Sequence, residues 1–201
     1  MLRLPEALQS IITNISRLPG FGPKSAQRAV FALLKWPENE TRKFGRDISN
    51  LRDVLGLCSR CGVISESAIC PICADPERDH NILCLVSEWD SLLTLEQGNF
   101  YRGQYLVLGG LLAPLDNRPL ETLELEVFYD RLRQGEITEV ILALGATAEA
   151  EATADYLRLK LENMFPIIKI SRLAQGIPLG AEIKYMDKET LRQSLVYRQT
   201  L

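Results

Sequence analysis

Apolar positions recur at helical spacing through the first quarter of the chain. Leu4, Leu8, Ile11, Ile12, Ile15 and Leu18 share one face of a helix predicted over 4–18, with Pro5 in its first turn. Ala26, Ala29, Val30, Leu33 and Leu34 predict a second helix ending near Trp36-Pro37, its small residues allowing close packing. Phe44, Ile48, Leu51 and Leu55 predict a third over 39–55, stopped by Gly56. After residue 80 the pattern changes. Ile82-Leu83-Cys84-Leu85-Val86 reads as a strand buried on both faces, as in a parallel sheet. Tyr105–Leu108, Val140–Leu144 and Ile167–Ile170 are further strands, alternating with helices around 90–97, 121–134 and 148–163. That alternation predicts an α/β layer fold with a parallel sheet. The tail holds turn residues, an edge strand at Ile183–Asp187 and a final helix over 188–199.

Between the helical and the α/β pattern lie Cys58-Ser59-Arg60-Cys61 and Cys70-Pro71-Ile72-Cys73, joined by the loop Gly62–Ile69. Two CxxC pairs this close together have the spacing of a structural zinc site, each pair turning two thiolates toward one tetrahedral metal. Four unrelated thiols would need a coincidence of spacing, and two disulfides an oxidising compartment. A bound zinc would supply on the order of 10 kcal/mol to a knuckle too small for its own core. Cys84, within an apolar run, reads as a core residue, and His80 as a loop residue outside the ligand set.

Composition sets limits on function. The chain has 201 residues, 46% of them hydrophobic, and a net charge of −3. No run approaches the ~18–20 apolar residues of a membrane span. Met1-Leu2-Arg3-Leu4-Pro5-Glu6 lacks the layout of a signal peptide, so a reduced, cytoplasmic protein is expected. The charge is unevenly spread. Residues 1–57 carry nine basic and five acidic side chains, whereas 81–176 carry eight and fourteen. A basic head on an acidic body suggests that a polyanion meets the head.

The segment Leu18-Pro19-Gly20-Phe21-Gly22-Pro23-Lys24 joins the first two helices. A helix, a Gly-apolar-Gly bend and a second helix resemble the helix-hairpin-helix of DNA-binding proteins. Gly20 and Gly22 would let the backbone approach a phosphate, and the free N–H groups opening the second helix bind anions. Lys24 and Arg28 stand one turn apart and could reach the same strand. Contacts of this kind hold a duplex without reading its sequence. An ordinary helical connector with two solvated bases is the alternative.

The order of the pieces resembles the RecR family of bacterial recombination mediators over nearly the whole chain. The resemblance is carried by Leu18–Arg28, the four cysteines, Val107-Leu108-Gly109-Gly110 and Ala113-Pro114-Leu115-Asp116, together with Glu149–Ala154 and Gly176-Ile177-Pro178-Leu179-Gly180. It implies a multidomain α plus α/β protein. Residues 1–56 would form a helix-hairpin-helix region, 57–78 a four-cysteine zinc finger, 81–176 a Toprim-like domain and 177–201 a C-terminal assembly segment. It further implies a non-enzymatic clamp for duplex DNA and single/double-strand junctions. Such a clamp would be a dimer or tetrameric ring that acts with RecO and RecF in loading recombinase.

Toprim domains of primases and topoisomerases hold magnesium with a Glu after the first strand and a D-x-D after the third. Here Gly145 and Thr147 occupy the D-x-D positions, and Ser87 stands where the Glu is expected, one residue before Glu88. Glu149 and Glu151 remain, near a helix start that favours carboxylates in any case. A magnesium-dependent nucleic-acid enzyme is therefore the alternative reading. Two further departures from the family are Asn117-Arg118-Pro119-Leu120, in place of a Gly-rich turn, and Ile183–Asp187, likened in relatives to a nucleotide-site strand. ATP hydrolysis does not follow without a phosphate loop.

Overall fold

The computed structural model describes residues 4–112 and 123–198. The chain divides into two units, Met1–Val54 and Leu55–Leu201.

The first unit contains α1 (Glu6–Ser16), α2 (Pro23–Leu33) and α3 (Glu38–Val54), in agreement with the periodicity. α1 and α2 pack through Ile12, Ala26 and Val30, flanked by Leu4, Leu8 and Ile15. Ala26 is fully buried, because a methyl group lets the two backbones approach where a longer side chain would hold them apart. α3 is amphipathic in sequence, yet none of its residues is buried. Phe44 meets Trp36 edge-on at 5.9 Å, and the Thr41 hydroxyl donates to the Leu33 carbonyl at 3.3 Å.

The second unit opens with a two-stranded hairpin, β1 (Gly56–Leu57) and β2 (Ile64–Ser65), and the one-turn helix α4 (Pro71–Ala74). Two-residue strands carry no period, so the sequence pattern does not reveal them. The elements that follow are β3 (Asp79–Val86), α5 (Trp89–Gln97), β4 (Gly103–Val107), α6 (Leu125–Arg133), β5 (Glu139–Ala143), α7 (Ala148–Met164) and β6 (Lys169–Arg172). A 3-10 turn at Ile183–Tyr185 then leads into α8 (Lys188–Val196).

The four long strands form one parallel sheet in the order β4-β3-β5-β6. Alternation along the strands divides its side chains between two layers. Leu83, Leu85, Leu106, Leu108, Val140 and Leu142 pack with Phe128 and Leu132 of α6 and with Leu157 and Leu161 of α7. Each fully buried leucine there stabilises the fold by about 1.5–3 kcal/mol. On the opposite face, Cys84, Val86, Tyr105, Val107 and Ala143 pack with Leu92 of α5 and with the four knuckle cysteines. Covering both faces makes the strands read as continuous apolar runs. Cys84 is accordingly a buried, free core thiol.

Three expectations are corrected. β6 begins two residues later than the apolar run, because the Ile168 N–H bonds to the Phe165 carbonyl and turns the chain. Ile167 is 95% exposed as a result, and pairing starts with Lys169 N–H to the Thr138 carbonyl at 2.9 Å. Ile183–Tyr185 is not an edge strand. Tyr185 and Met186 bond back to the carbonyls of Glu182 and Ile183, which turns the segment before Asp187 caps α8. His80 lies within β3 and not in a loop. The segments Ala113–Asp116 and Asn117–Leu120 lie outside the described residues.

Candidate functional site

The strongest convergence of reactive side chains is the knuckle. Cys58, Cys61, Cys70 and Cys73 are all buried, with their sulfurs within 4.8 Å of one another. The Cys61 and Cys70 sulfurs are 3.6 Å apart. Tetrahedral zinc with Zn–S bonds of about 2.3 Å places ligand sulfurs ~3.8 Å apart, so the quartet fits that ion. Among the described residues it is the only group of three or more potential metal ligands, and His80 is not part of it.

Local folding aims the sulfurs. The Cys58 sulfur accepts the N–H of Cys70 at 3.3 Å, and the Cys70 sulfur accepts that of Cys73 at 3.4 Å, closing the N-terminus of α4. Burial pushes the Cys58 thiol up, but the N–H groups of Cys70, Arg60 and Cys61 outweigh it and bring its pKa down to about 6. Cys70 is raised to about 11, chiefly by burial. Cys61 is raised by its hydrogen bond with Cys73 and by burial. The Cys58 sulfur is thus prepared as a thiolate, and Cys61 and Cys70 are crowded thiols that a divalent ion would ionise.

The knuckle is attached to the free edge of β4, where the backbone groups of Gly103, Tyr105 and Val107 point away from β3. Val107 donates its N–H to the Cys61 carbonyl at 2.8 Å. Arg131 Nη1 donates to the carbonyls of Tyr105 at 3.3 Å and Arg60 at 3.2 Å. Arg78, buried just past the knuckle, donates Nη1 to the Gly103 carbonyl at 3.1 Å and Nη2 to the Glu96 carboxylate. Three residues thereby cover an edge that would otherwise pair with another chain. Only tertiary folding brings Arg78 and Arg131 here, and no local sequence pattern marks them.

The second candidate site is the α1–α2 connection. Leu18 to Phe21 form a turn closed by Phe21 N–H to the Leu18 carbonyl at 3.1 Å, with Pro19-Gly20 at its centre. Gly20 has φ +80°, the left-handed conformation that a type II turn requires at that place. Gly22 has φ −82° and precedes α2 as its N-cap, without a capping side chain. Pro23 is the first helical residue, and the first intrahelical bond runs from Ala26 N–H to the Gly22 carbonyl at 2.9 Å. The N–H groups of Lys24 and Ser25 therefore have no partner in the helix. Lys24 and Arg28 are exposed, and neither pairs with an acid among the described residues.

The acidic residues weighed for magnesium have other surroundings. Glu88 is the N-cap of α5, and Glu149 and Glu151 lie in the first turn of α7. Glu151 accepts from Arg172 at 2.8 Å and from Gln175 at 2.7 Å. Gly145, at the first D-x-D position, has φ +95°, where an aspartate would be strained.

Four family models match the chain. They are a Toprim domain over 81–174, the RecR helix-hairpin-helix over 8–51, the RecR four-cysteine zinc finger domain over 55–75 and the RecR C-terminal region over 176–199. The zinc finger match and the cysteine geometry together identify zinc as the metal. The chain is 57% identical to the recombination protein RecR of Nitratidesulfovibrio vulgaris over the whole of both chains. It is 52% identical to that of Maridesulfovibrio salexigens, again over the whole of both. The RecR of Moorella thermoacetica is 41% identical over 98% of each chain. With its zinc finger, helix-hairpin-helix and parallel Toprim sheet accounted for, the chain belongs to the RecR family of recombination proteins.

Proposed function

We propose that this chain is a sequence-neutral DNA-binding scaffold of recombinational repair and not an enzyme. The observation that carries the reading is the uncapped start of α2, where unpartnered N–H groups lie beside exposed Lys24 and Arg28. Backbone dipoles and two exposed cations one turn apart suit a phosphate, and the Gly20 and Gly22 bend leaves room for the sugar–phosphate chain. Binding of this kind favours no base sequence and suits duplex DNA and single/double-strand junctions alike.

In this reading residues 1–56 are the DNA-binding head, 57–78 the zinc finger, 81–176 the body and 177–201 an assembly segment. One head offers few phosphate contacts, so useful affinity requires several heads on one duplex. Support comes from α3, whose Phe44, Ile48 and Leu51 are 43%, 58% and 56% exposed, an apolar face suited to a homo-oligomeric dimer or ring. RecO and RecF are the partners that family membership suggests for the body. A non-catalytic role is supported by Glu151, whose oxygens are taken by Arg172 and Gln175, and by glycine at position 145.

Affinity of the full chain for duplex DNA, measured against salt, tests the reading. Log affinity should fall linearly with log salt, and Lys24→Ala with Arg28→Ala should weaken binding and reduce the slope by about 0.9 per lost phosphate contact. Salt-independent binding, or a double variant that binds as the wild type does, would refute it.

A further inference from the structure

We propose that Arg131 is the counter-cation of the zinc centre and the positioning residue that holds the loaded knuckle on the β4 edge. Four thiolates around a divalent ion leave a net charge of about −2. The quartet is buried against Val86, Leu92, Tyr105 and Val107, an apolar wall in which uncompensated charge is costly. Two cations are bonded to the knuckle backbone. Arg60 lies inside the first CxxC and donates Nη1 to the Cys73 carbonyl at 3.3 Å. Arg131 arrives from α6, half-buried, and ties the Arg60 carbonyl to that of Tyr105 through one nitrogen.

The ion-pair pattern separates Arg131 from its neighbours. Arg133 pairs with Asp130 and Arg78 with Glu96, whereas Arg131 has no carboxylate partner among the described residues. Burial and the like charge of Arg60 work against its charged form, and the acidic groups that act to favour it are the cysteines Cys73, Cys61 and Cys58. A guanidinium so placed both lowers the electrostatic cost of the tetrathiolate and clamps Arg60, which carries Cys61 with it. Outer-shell groups of this kind govern how tightly a first shell holds its metal.

The test uses the full-length protein loaded with zinc, and separately with cobalt(II). Arg131→Met should release zinc to a competing chelator about 10–100-fold more readily, with Arg131→Lys restoring most of the retention. In the cobalt form, loss of the cation should move the sulfur-to-cobalt charge-transfer band to lower energy, a change that loss of packing alone does not produce. Arg131→Gln keeps a polar side chain but carries no charge, so it separates charge from polarity even if the methionine variant does not fold. Retention of zinc by Arg131→Gln within about twofold of wild type, with an unmoved band, would overturn the proposal.

Discussion

Val107, the last residue of β4, donates its backbone N–H to the carbonyl of Cys61, a zinc ligand, at 2.8 Å. The metal site and the edge of the sheet thus share a hydrogen bond. Stripping zinc with a chelator, or changing Cys61→Ser, should release the knuckle and speed hydrogen exchange at the Val107 amide. The next amide, Leu108, bonds to the Val86 carbonyl inside the sheet at 2.8 Å and should stay protected. Equal deprotection of both would mean that zinc holds the whole sheet and not its edge alone.

The two hairpin glycines should respond differently to substitution. Gly20→Ala forces a Cβ into the left-handed region and should cost about 1–2 kcal/mol in denaturant unfolding of the full chain. Gly22→Ser introduces a side chain that can cap α2, so stability should be kept or improved by a few tenths of a kcal/mol. The same hydroxyl would occupy the N–H groups proposed to meet phosphate, so DNA affinity should fall. A Gly22→Ser protein that binds DNA as tightly as the wild type would argue against the helix start as the contact.

Arg78 is a buried charge paired with Asp75 at 3.6 Å and with Glu96, which reaches it from α5. Arg78→Ala should cost about 3 kcal/mol, measured by chemical denaturation, because it leaves a carboxylate beside Tyr105 without its cation. Pairing Arg78→Met with Glu96→Leu should recover much of that loss. If the double variant is no more stable than the single one, the cost lies in lost contacts to the Gly103 carbonyl and Asp75 and not in the stranded Glu96 charge.

Acid should loosen the C-terminal helix. Asp187 caps α8, and the Thr190 hydroxyl and backbone N–H hold its carboxyl below the ordinary value of 3.8. Arg192 and Gln193 do the same for Glu189. Both folded pKa values are depressed, so their stabilisation is complete above the ordinary carboxylate range and is lost as pH falls through the folded values. Exchange of the α8 amides should therefore rise at acid pH. In Asp187→Asn, which keeps the cap without the charge, the rise should be smaller.

Much of this protein is legible in local sequence because its period is local. Helices of three turns and strands covered on both faces imprint 3.6-residue spacing and unbroken apolar runs on the chain, and the longer elements from α1 to α7 that those patterns predict are present within a few residues. Paired CxxC motifs point to a metal site from spacing, since tetrahedral coordination draws four thiolates together. Tertiary structure decided what depends on distant partners. The β1–β2 hairpin is too short for a period, and its connection is closed by Cys58 N–H to the Val63 carbonyl at 2.8 Å. β6 starts where Thr138 offers a carbonyl, not where its isoleucines begin, and Ile183–Tyr185 curls through the bonds of Tyr185 and Met186 back to the Glu182 and Ile183 carbonyls. Arg78, Cys61 and Arg131 come together on the β4 edge across long stretches of chain, by hydrogen bonds to main-chain atoms that leave no signature in residue type.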